Sequence, residues 1–89
     1  MSKSGVTFAW LRRFLLDLGF TEVIVPKSHV GFFHEPSGAE VFLPIYRSNQ
    51  FVMAHHLLTV RFTLDGWGLM EADDFDEVVA SVSAKQSAS

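Results

Sequence analysis

The stretch KSHVGFFHEPSGAEVFLP, residues 27–44, leaves this chain little choice but to fold as a β-hairpin. Two runs rich in Val and Phe flank Pro36-Ser37-Gly38, where proline presets φ and glycine supplies a positive φ. On the first strand His29, Gly31 and Phe33 point one way and Val30, Phe32 and His34 the other. On the second, Val41, Leu43 and Ile45 share a face opposite Phe42 and Pro44. Neither face is plainly polar, so alternation alone does not say which side is the core. The polar entry, Lys27-Ser28-His29, is the odd part: a hydroxyl and an imidazole stand at the start of an aromatic strand.

The elements around the hairpin follow from local patterns. Thr7 or Ser4 is placed to cap a helix running to about Leu18, with Phe8, Leu11, Leu15 and Leu18 as its apolar stripe and Gly19 as its stop. Val23, Ile24 and Val25 suit a short strand that Pro26 ends or bends. Residues 46–52 read as a loop. A second helix is expected over Met53 to Asp65, with Leu57, Val60, Arg61 and Leu64 along one side, stopped at Gly66 before a turn anchored by Trp67. Residues 71–82 read as a short acidic helix whose carboxylates lie near the positive end of its dipole, and residues 83–89 as a polar, frayed tail. The expected architecture is α+β. An α-β-β-β-α order forms a three-stranded antiparallel sheet with helices on one face and a short C-terminal helix, in one domain over residues 1–82.

Composition narrows the function classes. At 89 residues with nine Phe, two Trp and no Cys, the chain has one aromatic core, no disulfide framework and no thiolate metal site. No apolar run is long enough to span a bilayer and the N-terminus does not resemble a signal peptide, so the expectation is a small soluble cytoplasmic protein without a membrane partner. The net charge of −3 is unevenly spread. Residues 71–89 hold Glu71, Asp73, Asp74, Asp76 and Glu77 against Lys85 alone, whereas residues 1–70 carry six basic and five acidic side chains. A nearly neutral body permits a polyanionic partner without predicting one. The acidic segment is read as a favourable helix start; the sharper alternative is an RNA mimic folded over the basic side of the domain.

Several chemistries fail on spacing. His55 and His56 are adjacent and diverge by about 100° on a helix, and His29 and His34 fall on opposite strand faces, so no metal or other cofactor is expected. Ser28 and His29, as neighbouring strand residues, also point apart and cannot form a nucleophile–base pair. Gly66 and Gly68 flank a Trp, which is turn chemistry and not a phosphate cradle. General acid–base work by His29 survives the geometry. Lys27, Ser28 and local N–H groups are candidate phosphate donors, and Phe33 is a candidate base-stacking platform on the same face. On the residues alone a structural His29 is still the commoner outcome, and Arg12 and Arg13 read as a solvated helix face.

The order of segments resembles one known family. A short amphipathic helix leads into LGF, then come a strand opening on KSH, a PSG turn, a strand ending VFLP, a helix closing on Gly-Trp-Gly-Leu, and an acidic Phe-centred last helix. Over roughly residues 8–79 this resembles the HicA family, small mRNA interferase toxins with a double-stranded-RNA-binding-domain-like fold. The resemblance implies that His29 is the catalytic residue, that Ser28 precedes it in a Gly-Ser-His motif, and that messenger RNA and a HicB-like antitoxin are its partners. Two positions depart from the family pattern. Lys27 stands where Gly is usual, and Tyr46 stands where a Pro-x-His motif would place a second His. The alternatives are a relative that keeps the fold as an RNA- or protein-binding module, and a self-associating protein using exposed aromatics such as Phe33, Phe42, Tyr46 or Phe51.

Overall fold

A computed structural model describes residues 3–87. Eight elements follow one another: β1 (Lys3–Thr7), α1 (Phe8–Asp17), β2 (Thr21–Val25), β3 (His29–His34), β4 (Ala39–Pro44), β5 (Phe51–Met53), α2 (Ala54–Gly66) and α3 (Ala72–Ser87). The fold is α+β. β2, β3 and β4 form an antiparallel sheet in that order, and β1 pairs with β5 in a second, two-stranded sheet. The larger sheet's register is continuous, from Thr21 opposite Phe33 to Val25 opposite His29, and from His29 opposite Pro44 to His34 opposite Ala39. Among the described residues no helix is long and apolar enough to cross a membrane.

Both ends of α1 are specified locally. Thr7 accepts the Trp10 N–H at 3.3 Å as N-cap, satisfying one of the first turn's unpaired donors. At the other end Gly19 takes φ +101, so its N–H reaches the Leu16 carbonyl and the Phe20 N–H the Leu15 carbonyl, both at 3.0 Å. That is a Schellman motif. It turns Phe20 back under the helix, where its side chain is buried in the same core as Leu15.

One core holds the layers together: Val6, Phe8, Leu11 and Leu15 meet Val30, Phe32, Val41 and Leu43 of the sheet, Leu57, Val60 and Leu64 of α2, and Phe75 of α3. The core side of the sheet is therefore the Val30–Phe32 and Val41–Leu43 face. His29, Gly31, Phe33 and Phe42 lie on the outer face, which among the described residues carries no helix and leaves Phe42 49% exposed.

Three expectations need correcting. The polar start and part of the 46–52 loop are strands: β1 and β5 pair through an irregular register that sets Lys3 opposite Met53 and Thr7 opposite Phe51. Ser4 Oγ donates to the Val52 carbonyl at 2.7 Å, and Val6 and Val52 are wholly buried. A three-residue strand is too short to display a period, which is why pattern reading passes over it. The last helix runs through residue 82 to Ser87 because its Val79 and Val82 pack on the core and Ser83 lies against β1. A Cβ built on Gly5 would fall 2.6 Å from Ser83 Cβ and 3.2 Å from its Cα, so the two small residues permit this close helix–strand approach.

At the end of α2 the expected stop holds. Gly66 is its last helical residue, and Gly68 (φ +71) is the residue that turns the chain, with Leu69 N–H returning to the Leu64 carbonyl at 2.9 Å. The third correction is Trp67, which is 52% exposed and anchors nothing in the core. Gly66 lies outside the positive-φ glycines, and an added Cβ there would meet open space. Gly66→Ala is accordingly expected to stabilise the fold by about 0.5–1 kcal/mol, mainly by restricting the unfolded chain. A urea titration would show this as a raised midpoint at constant slope; a lowered midpoint would mean that Gly66 has a structural duty of its own.

Candidate functional site

The turn between β2 and β3 sets up the site. Ser28 N–H closes on the Val25 carbonyl at 3.1 Å, with Pro26 second in the turn and Lys27 third at φ +62. This is the arrangement of a type II turn, whose third position normally takes glycine because of that positive φ. Lys27 thus occupies, as a strained non-glycine, the position at which the resemblance places Gly. The turn also lifts Ser28 out of strand alternation. Its hydroxyl meets His29 Nδ1 at 2.8 Å, so the expectation that the two side chains point apart is wrong. That expectation assumed a strand at Ser28, and the strand begins only at His29.

His29 is half-buried on the outer face, opposite Val25 on one side and Pro44 on the other. Its ring stands 5.4 Å from the Phe42 ring at 76°, and Phe42 stands 5.7 Å from Phe33 at 83°. Edge-to-face geometry of this kind matches the positive edge of one ring to the negative face of the next. Gly31 makes room for it: a Cβ there would lie 3.0 Å from Phe33 Cε2 and 3.3 Å from Phe42 Cε1. Phe33 is the half-buried inner member of the pair. Phe42 is 49% exposed and touches His29, so it, rather than Phe33, offers a ring face beside the imidazole. The register of the PSG hairpin would have located Phe42, since Gly31 and Phe42 are cross-strand partners.

Lys27 and Ser28 are exposed at the same end of the sheet. Three of the four arginines are engaged elsewhere. Arg12 bonds Glu22 at 2.8 Å, Arg13 meets Asp17 at 3.2 Å, and Arg61 bonds Asp76 through two nitrogens at 2.8 and 3.1 Å. Asp73 and Asp74 lie in the first turn of α3, as a favourable helix start requires, and α3 packs on β1 and α2. A cleft of about 260 Å³ also lies in that region, lined by Leu57, Leu58, Phe75 and Val79 with the Arg61–Asp76 pair. It holds no nucleophile–base pair.

The other histidines are held by neighbours. His34 Nδ1 bonds Ser37 Oγ at 2.8 Å within the β3–β4 turn. His55 and His56 do not diverge: their ring centres are 4.0 Å apart. Among the described residues no group of three or more His, Cys, Asp or Glu is placed to hold a metal. Tyr46, in the position of the resemblance's second His, stacks on Phe8 at 5.5 Å, accepts the Met53 N–H at 3.0 Å and hydrogen-bonds His56 Nδ1.

With its oxygen receiving Met53, the Tyr46 hydroxyl can donate to a neutral His56 whose Nδ1 carries no proton. Burial, and secondarily the charge of His55, hold His56 below the ordinary 6.5. The unfolded chain therefore binds this proton more readily, and stability falls as pH drops below about 6.5 towards the lowered value. His56→Gln should flatten that part of the stability–pH curve relative to wild type. Identical curves would remove His56 from the linkage.

No family model, no curated protein and no solved structure matches this chain.

Proposed function

We propose that this chain is a HicA-like ribonuclease that cuts RNA without a metal, with His29 as its general acid–base residue. The observation that carries the reading is the setting of His29: a half-buried imidazole on an open sheet face, its Nδ1 tied to Ser28 Oγ and its ring beside exposed Phe42. In the tautomer that donates Nδ1–H to Ser28, the Nε2 lone pair is available to take a proton. Abstraction of the 2′-OH proton lets that oxygen attack its own phosphorus. The P–O5′ bond breaks, the departing 5′ oxygen takes up a proton, and the products end in a 2′,3′-cyclic phosphate and a 5′-OH. Lys27 would neutralise charge on the phosphate oxygens, and Phe42 would stack an unpaired base. The order α1-β2-β3-β4-α2 with a final α3 runs as in the fold that the resemblance implies, with two departures: β1 precedes α1 and β5 stands between β4 and α2. Messenger RNA and a HicB-like protein covering the outer face are the partners on this reading.

One observation favours a second reading, an RNA- or protein-binding module without catalysis. Three of the cations, Arg12, Arg13 and Arg61, are already paired with carboxylates, which leaves few for phosphates. One experiment separates the two. RNA incubated with the protein in excess EDTA should be cut to fragments with cyclic-phosphate ends. Retarded but intact RNA would favour the binding module, and no effect on RNA at all would sink both RNA readings.

A further inference from the structure

The three-stranded sheet has two edges, and they differ. β4 has α2 packed against it and ends at Pro44. β2 has β3 on one side; on the other, among the described residues, its outward N–H and C=O groups have no backbone partner. Natural sheets blunt such edges with lysine, an internal proline, a bulge or a covering segment. Thr21-Glu22-Val23-Ile24-Val25 has none of these, and its pairing with β3 is unbroken. Val23, Ile24 and Val25 are 46%, 62% and 39% exposed, so the edge is apolar on both faces. Its one charge, Glu22, lies 2.8 Å from Arg12 with a side chain only 14% exposed. Nothing in the strand repels another strand.

We propose that β2 pairs antiparallel with the β2 of a second copy of this chain, about a two-fold axis at Val23. Opposed residues of an antiparallel pair share a face, so only registers that join outer face to outer face are allowed. With Val23 opposite its own copy, Thr21 faces Val25 and Glu22 faces Ile24, and no like charges meet. The neighbouring allowed register on one side sets Glu22 opposite Glu22, which is repulsive. The one on the other side brings Pro26 into the ladder, where it has no N–H to give.

The chosen register also brings the second copy's Ile24 beside Glu22, at the mouth of a cleft of about 70 Å³ lined by Phe8, Glu22, Ile24, Val30, Ile45 and Tyr46. Apolar surface that one copy leaves open is then covered by the other. The contact is isologous and closes on itself, giving a six-stranded sheet. Both His29 side chains fall on one face of that sheet, roughly 20 Å apart from the strand spacing and rise per residue. A single strand is far smaller than a standard interface of about 1,600 Å², so the dimer is weak and its population rises with concentration.

Sedimentation velocity over micromolar to millimolar protein tests this. The wild type should pass from one to twice the monomer mass. Val23→Lys and Val23→Glu should each remain monomeric, because like charges meet on the axis, and an equimolar mixture of the two should dimerise again. Val23→Thr, which keeps the β-branch, should dimerise like the wild type and covers the case in which a charged variant misfolds. A wild type that stays monomeric overturns the proposal. So do a Val23→Lys variant that dimerises unchanged and a wild type that grows into filaments.

Discussion

Replacing His29 with alanine is expected to slow RNA cleavage by about 10²- to 10⁴-fold, the usual contribution of a positioned general acid–base group. The fold should survive the change. His29 lies outside the core and contacts Ser28 and Phe42 on the sheet's outer face, so no buried cavity opens when its ring is removed. A thermal melt close to wild type, with activity lost, would assign the loss to chemistry. Measuring RNA binding in the same variant sharpens the result. Retained binding with lost cleavage places His29 in the reaction, whereas a parallel loss of both makes it part of the binding surface. A variant that cleaves as fast as wild type removes His29 from the mechanism, and the reading built on it falls.

How much of this was legible in the sequence divides along the range of the interactions involved. The Thr7 cap, the Gly19 stop and the PSG hairpin are settled within a few residues, and each can be read directly. The choice of core face could not be read, because His29-Val30-Gly31-Phe32-Phe33-His34 is apolar on both sides. That choice is made when Phe8 and Phe32 come together, their rings 6.4 Å apart, and leave Phe33 and Phe42 to pair on the other side. β1 and β5 were hidden for the same reason: their partners lie some fifty residues apart in the chain, and neither has a pattern of its own. Ser28 shows a subtler failure. Its side-chain direction depends on Lys27 adopting a positive φ, and Lys is a residue from which no such turn is predicted. Hence the site's central hydrogen bond is not legible in the sequence, although both of its residues stand out there.

The other large effect is expected at Phe75. Truncation to alanine should cost about 3–5 kcal/mol, as for other buried Phe side chains. Its ring is 2% exposed, meets Phe14 edge-on at 5.9 Å and joins the cluster shared by α1, α2 and the sheet. Its neighbours explain why an acidic segment contains a core residue. Asp73, Asp74, Asp76 and Glu77 are all exposed, and Phe75 alone turns inward, followed at helical spacing by half-buried Val79 and Val82. With domain stability typically about 5–15 kcal/mol, the loss would leave the chain near its unfolding threshold. The same reasoning bears on the acidic segment as an RNA mimic. Deleting residues 71–89 would remove Phe75 together with the carboxylates, so a change in RNA binding after deletion would report unfolding before it reported unmasking. Urea unfolding followed by far-UV circular dichroism would measure the Phe75→Ala loss directly. A loss below about 1 kcal/mol, outside the range for a buried aromatic, would mean that the core closes without α3, and deletion would then become a clean test of the acidic helix.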